Sequence, residues 1–282
     1  MSNWTEETLH ADFRIRLRAS KVLYDSKTDH QRLVLIENDT FGRVLLLDDV
    51  VQTTERDEFI YHEMLSHVPV LAHGAVRRVL IIGGGDGGML EEMLKHETIE
   101  AVDQVEIDES VIDFSKTYLS SICGDAFADP RTRVVIADGA AYVADCAARY
   151  DVIVIDSTDP IGPGAALFTE TFYGNCKRCL NDGGVLVTQN GVPFLQAAEL
   201  TQTLAALKDL FEDATCYLAT IPTYVGGPMA FGWASDNPTL RHIDDAELAR
   251  RYESSGVATE YYNPAVHVAA FALPGYIEAM IR

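Results

Sequence analysis

The stretch that most restricts the fold of this chain lies at residues 79–88. An aliphatic run, VLII, enters the cluster Gly83-Gly84-Gly85-Asp86-Gly87-Gly88 and gives way to a helical pattern over 89–96. Glycines between a strand and a helix let backbone approach a ligand at the helix N-terminus. Taken alone the cluster fits a dinucleotide, an adenosyl-sulfonium or a plain turn. Glu106, in the next apolar run (102–107), stands 106 − 85 = 21 residues after Gly85. A carboxylate at that spacing accepts the hydrogen bonds of a ribose diol. Asp86 narrows the choice further. Inside a phosphate-type loop it repels pyrophosphate or a methionine carboxylate and welcomes an ammonium. Capping the following helix explains Asp86 equally well on position alone.

The alternation continues downstream. Apolar runs at 134–136, 152–155 and 185–189 are interleaved with helical patterns at 110–119, 140–148 and 170–180. Such alternation predicts βαβ units and a mainly parallel sheet covered on both faces. Residues 214–234 predict strand, turn and strand, an antiparallel closing hairpin. Upstream the pattern differs. Residues 13–24 alternate with period two, 33–36 and 44–47 flank a turn at Phe41-Gly42, and 50–54 adds a short strand. A helix is expected over 55–72. The fold class is therefore α/β. A small N-terminal β-strand domain (1–66) precedes a Rossmann-like, doubly wound domain (67–282) of the class I methyltransferase type.

Composition bounds the partners. With 22 basic against 43 acidic residues the formal charge is −21, which disfavours nucleic acid and mildly favours cationic small molecules. No apolar run approaches the ~20 residues needed to span a bilayer, so no membrane partner is expected. The acidic start has no basic-then-apolar leader. Five cysteines suit a reducing cytoplasm rather than a disulfide scaffold.

Two further strand ends carry acids. Asp138-Gly139 follows 134–136, where a carboxylate meets an adenine amino group or simply a solvated turn. Asp156 and Asp159 close the 152–155 run ahead of Pro160, Gly162, Pro163 and Gly164, a candidate lid. Ligands of such sheets lie off the carboxyl ends of the strands. Paired carboxylates there can hold an ammonium and take a proton from an attacking nitrogen. Other motifs lapse. His62-Glu63-Met64-Leu65-Ser66 lacks the second histidine of a zinc-protease helix, so no metal is expected. Cys176 and Cys179 read as a reduced, half-buried helix face rather than a redox or zinc pair, and Met64 and Met89 as core.

In YDSKTDHQ (24–31), LDDVVQTTERDEFIYHEMLSHV (47–68), GGGDGG, VEID, DSTDPIGPG, IPTY and YYNPAVHVAAFALP, the chain resembles the polyamine aminopropyltransferases, specifically the bacterial spermidine synthases. The resemblance spans essentially the whole chain. It implies transfer of an aminopropyl group from decarboxylated S-adenosylmethionine to putrescine, giving spermidine and 5′-methylthioadenosine. By the same resemblance Gln31, Glu106, Asp138 and Gly139 contact the nucleoside, Pro163 contacts the methylthioadenosine portion, and Asp86 holds the aminopropyl ammonium. Tyr61, His62, Asp156, Asp159, Gln189 and Tyr224 form the amine site, with Asp156 accepting the proton. No metal or separate cofactor is implied, since the decarboxylated donor is a co-substrate. Members are commonly homodimers or homotetramers. Asp49, where many relatives carry glycine, departs from the pattern and is expected to affect turn geometry more than chemistry. Two rivals remain: a small-molecule methyltransferase of the same fold, and a non-catalytic polyamine- or nucleoside-binding protein. Acceptor length is open between putrescine, cadaverine, agmatine and spermidine.

Overall fold

The computed structural model describes residues 4–160 and 162–282. The N-terminal unit contains two antiparallel sheets. β1 (Trp4–Glu6) pairs with β2 (Arg16–Arg18), and β3 (Lys21–Lys27), β4 (Arg32–Asn38), β5 (Gly42–Leu47) and β6 (Val50–Thr54) form a meander. The period-two run at 13–24 therefore covers two strands rather than one. The chain changes partner at Ala19-Ser20, where the Ser20 N–H donates to the Glu37 carbonyl at 2.8 Å. Alternation specifies which face a side chain takes but not which neighbour the strand pairs with. Asp48 and Asp49 have φ of 48° and 63° and make the tight β5–β6 turn, where Asp49 pairs with Arg32 at 3.0 Å. Its departure from glycine is thus absorbed in the turn.

α1 (Glu58–His73) runs unbroken across the expected 66/67 boundary. The alternating part follows as β7 (Arg78–Gly83), α2 (Gly88–Leu94), β8 (Ala101–Glu106), α3 (Glu109–Tyr118), α4 (Ser120–Cys123), β9 (Thr132–Ile136), α5 (Gly139–Asp145), β10 (Tyr150–Asp156), α6 (Glu170–Cys179), β11 (Leu180–Gln189), α7 (Ala197–Leu210), β12 (Asp213–Ala219) and β13 (Met229–Ser235). Three C-terminal helices, α8 (Asp245–Ser255), α9 (Pro264–Ala270) and α10 (Gly275–Met280), complete it. The seven strands lie in the order β12-β13-β11-β10-β7-β8-β9, with β7 to β11 parallel and the β12–β13 hairpin antiparallel.

Both faces of this sheet are covered, and alternate residues explain it. Val79, Ile81, Val152 and Val154 pack towards α1 and α2, whereas Leu80, Ile82, Ile153 and Ile155 join the cluster that includes Phe172, Leu200 and Leu204 of α6 and α7. Met64 and Met89 are in the first core. Cys176 and Cys179 are fully buried rather than half-buried, because they share the apolar stripe that α6 presents to the sheet. Leu33, Leu35 and Leu45 of the meander pack on Phe114 and Leu119, which fixes the N-terminal unit beside α3.

Candidate active site

Strand order reverses between β7 and β10, so the connections leaving their carboxyl ends diverge and open a crevice. The glycine cluster leaves β7 there, and the Asp156–Asp159 segment leaves β10. Gly83 stands opposite Asp156 in register, and the Gly84 N–H donates to the Asp156 carbonyl at 2.9 Å. Gly83 and Gly84 have φ of 88° and 67°, and a Cβ at Gly83 would strike that carbonyl. Only glycine permits so close an approach.

Asp86 makes the helix-capping contact and a second one inside the cleft. Its Oδ1 accepts the Gly88 N–H at 3.0 Å, capping α2, while Oδ2 lies 3.5 Å from His62 Nε2. His62 Nδ1 is 2.6 Å from Glu58 Oε2, one helical turn back on α1. Burial works against the imidazolium, but Asp86 and Glu58 outweigh it and hold the His62 pKa well above its ordinary value. Burial likewise pushes Asp86 up, yet His62 and the Gly88 N–H hold it below the usual carboxylate range. The pair is therefore an ionised couple.

Next to it the Tyr61 hydroxyl donates to Asp156 Oδ1 at 2.6 Å. Burial, then the Asp86 charge, push Asp156 up to about 6, with His62 and the Tyr61 hydroxyl opposing. Burial, then the Asp156 charge, hold the Tyr61 phenol well above its normal range, so it stays a donor. One polar atom each from His62, Asp86 and Asp156 gather within 4.8 Å. That set has the composition of a metal site. Here its imidazole already has Glu58 at one nitrogen and Asp86 at the other, which makes it the cation of the cluster.

On one side of this centre Glu106 ends β8. Its Oε1 accepts the Asp108 N–H at 3.0 Å, and burial pushes its carboxyl up to about 7. Gln31 reaches across from the N-terminal unit, its Nε2 3.4 Å from Asp108 Oδ2, and Thr28 donates to the same oxygen at 2.7 Å. Asp138 caps α5 through the Ala141 N–H at 3.0 Å, and Gly139 follows it. On the opposite side Asp159 is raised chiefly by burial. Gln189 is buried with no partner for its Oε1 among the described residues, and Tyr224 donates to the Gln52 carbonyl.

One cleft thus brings together Gln31, Tyr61, His62, Asp86, Glu106, Asp138, Gly139, Asp156, Asp159, Gln189 and Tyr224. Pro163, expected against the methylthioadenosine portion, has a side chain outside the described residues, as does Ile161 of the expected lid. Sequence reasoning missed the lining supplied by Glu7, His10, Phe13, Gln52 and Gln196. Nothing local marks these residues, which arrive from elements distant in the chain. Glu58 was findable, because its four-residue spacing from His62 puts both on one helix face.

Comparisons with known proteins agree over nearly the whole length. Residues 58–244 match the spermine/spermidine synthase domain, and residues 3–55 the spermidine synthase tetramerisation domain. The chain is 59% identical over 277 residues to a polyamine aminopropyltransferase of Ruegeria sp. (strain TM1040), covering 98% of each chain. It is 53% identical over 272 residues to polyamine aminopropyltransferase 1 of Pseudomonas aeruginosa, covering 96% of this chain and 95% of that one. Among solved structures, a spermidine synthase in complex with the transition-state analogue AdoDATO superposes with a TM-score of 0.94 at 37% identity, over 99% of this chain and 94% of that one. The spermidine synthase from Thermotoga maritima gives 0.92 at 37%, with the same coverage.

Proposed function

The chain belongs to the spermine/spermidine synthase family and is a polyamine aminopropyltransferase, and we propose that it moves the aminopropyl group of decarboxylated S-adenosylmethionine to putrescine, giving spermidine and 5′-methylthioadenosine. The observation that carries this reading is the placement of Asp86 and Asp156 around one small space at the crevice, with Tyr61 on Asp156.

The donor's sulfonium makes the attached methylene an electrophile and its own thioether a neutral leaving group. Glu106 and Gln31 take the ribose side, Asp138 and Gly139 the adenine side, and Asp86 the aminopropyl ammonium. A carboxylate in that position disfavours ordinary S-adenosylmethionine, whose carboxylate it would meet at a cost of several kcal/mol. The acceptor lies between Asp156 and Asp159, with the unpartnered Gln189 oxygen suited to an ammonium N–H. A free alkyl amine has a pKa near ~10.4, as in lysine, so most of it arrives protonated. Asp156 takes a proton from the attacking nitrogen. The nitrogen lone pair then forms the N–C bond, the C–S bond breaks, and its electrons stay on sulfur. The displacement as proposed needs no metal and no redox cofactor, since the leaving group is built into the donor.

A methylthioadenosine-release assay tests the reading. Decarboxylated S-adenosylmethionine is offered with putrescine, cadaverine, agmatine or spermidine separately, and ordinary S-adenosylmethionine serves as control. Release dependent on putrescine is expected. Release with another amine alone changes the acceptor, and donor binding without release from any amine overturns the proposal.

A further inference from the structure

Glu199 is a buried carboxyl that the displacement does not use. It lies in the first turn of α7, outside the lining of the cleft to which Asp159 belongs, and is 9% exposed. Gln196 joins the two acids. Its Nε2 donates to Asp159 Oδ1 and, at 3.2 Å, to Glu199 Oε2, while its Oε1 accepts the Val192 N–H at 2.9 Å. The amide oxygen and both amide hydrogens are engaged in this orientation. Gly191, at a φ of 57°, leaves the room this side chain needs, because a Cβ there would meet the Gln196 amide at 2.5 Å. The other Glu199 oxygen is buried without a partner among the described residues.

We propose that Glu199, acting through Gln196, is a positioning residue that sets the orientation and the charge of Asp159, and with it the hold on the far ammonium of a diamine acceptor. The inference rests on Asp159 belonging to the acceptor site. Burial foremost, then the Asp159 charge, push Glu199 up to about 8. It therefore titrates where the enzyme can be assayed. The titratable groups that face it are Asp159 from the β10 connection and Tyr173 from α6, while Glu7 and His10 of the N-terminal segment act on Asp159. A cation seated at Asp159 favours the ionised Glu199, and by reciprocity an ionised Glu199 favours the cation. The KM for a diamine accordingly falls as pH rises from 7 to 9.

The test compares wild type, Glu199→Gln, Glu199→Ala and Gln196→Ala, measuring KM for putrescine and for the decarboxylated donor at pH 7 and 9. Glu199→Gln keeps an acceptor for the Gln196 amide but cannot ionise. Its putrescine KM at pH 7 is expected within about twofold of wild type, with the wild-type fall towards pH 9, about threefold or more, largely abolished. Glu199→Ala and Gln196→Ala are expected to raise the putrescine KM at pH 7 by about fivefold or more while the donor KM holds. Unchanged putrescine KM in Glu199→Ala, a wild-type pH response in Glu199→Gln, or donor and acceptor constants moving together would overturn the proposal. A wrong acceptor shows separately, as wild type failing to turn over putrescine. The amine it does use then replaces putrescine, and the same ratios decide.

Discussion

Two carboxylates of the same type have been driven in opposite directions within one small space. His62 holds Asp86 ionised, whereas burial and the Asp86 charge bring Asp156 up to about 6. A base must be deprotonated to act, so a raised carboxyl keeps the inactive, protonated form to higher pH than an ordinary one. The single-turnover rate is accordingly expected to climb through about pH 6, and a profile flat from pH 5 to 7 contradicts Asp156 as base. The sequence alone suggests a carboxyl raised by burial beside Asp159 and a rate that rises above neutrality; in the structure the like charge that acts on Asp156 is that of Asp86, and the carboxyl titrates at about 6. Asp156→Asn is expected to slow methylthioadenosine release by about 10²–10⁴-fold, the usual worth of a general base, while equilibrium binding of the donor stays. Asp86→Asn removes the like-charge clash with ordinary S-adenosylmethionine. The preference between donors, measured as the ratio of their Kd values by calorimetry, is expected to narrow by about two decades, equivalent to roughly 2.7 kcal/mol. Full discrimination in that variant would show that something other than Asp86 selects the donor.

Among the elements, α1 and α2 meet so closely that a Cβ on Gly88 would enter the His62 ring. Gly88→Ala must therefore displace the imidazole from Asp86 and Glu58. The expected result is a loss of kcat of tenfold or more, accompanied by a stability loss of about 1–3 kcal/mol in denaturant melts, as for other overpacked contacts. Unchanged kcat would mean that the His62–Asp86 couple is dispensable. The elements that carry chemistry were largely legible, because a glycine cluster, VEID and DSTDP each combine strand, turn and helix signals in a few letters. α7 was not read, although Leu200, Leu204 and Leu207 have the spacing of a buried helical stripe. α8 buries only Leu248 among its eleven residues and gives a sequence pattern almost nothing to detect. α9 is short, but Asn263 followed by Pro264 is a cap and first-turn signal that marks its start.

For the whole molecule, the cleft depends on residues that no local pattern connects. Glu7, His10 and Phe13 line it from a segment that precedes the first long strand, so only tertiary folding brings them there. The unit that supplies them matches the tetramerisation domain and carries Trp4 (53% exposed) and Val22 (55%) on its surface. A charge at such a position opposes burial against another copy. Val22→Asp is expected to lower the native mass measured by light scattering, and an unchanged mass would place the contact elsewhere. The pairing of Gly83 with Asp156 has a consequence for how such a catalyst can change over evolutionary time. Adjacent strands sit ~4.8 Å apart as a fixed property of backbone hydrogen bonding. On the proposed roles, the span from the donor's seat to the base is therefore measured by the sheet itself, as by a gauge block. Loops and N-terminal residues can be exchanged to admit a longer or shorter amine while that span stays constant. Substrate range and reaction geometry can thus drift independently in this architecture.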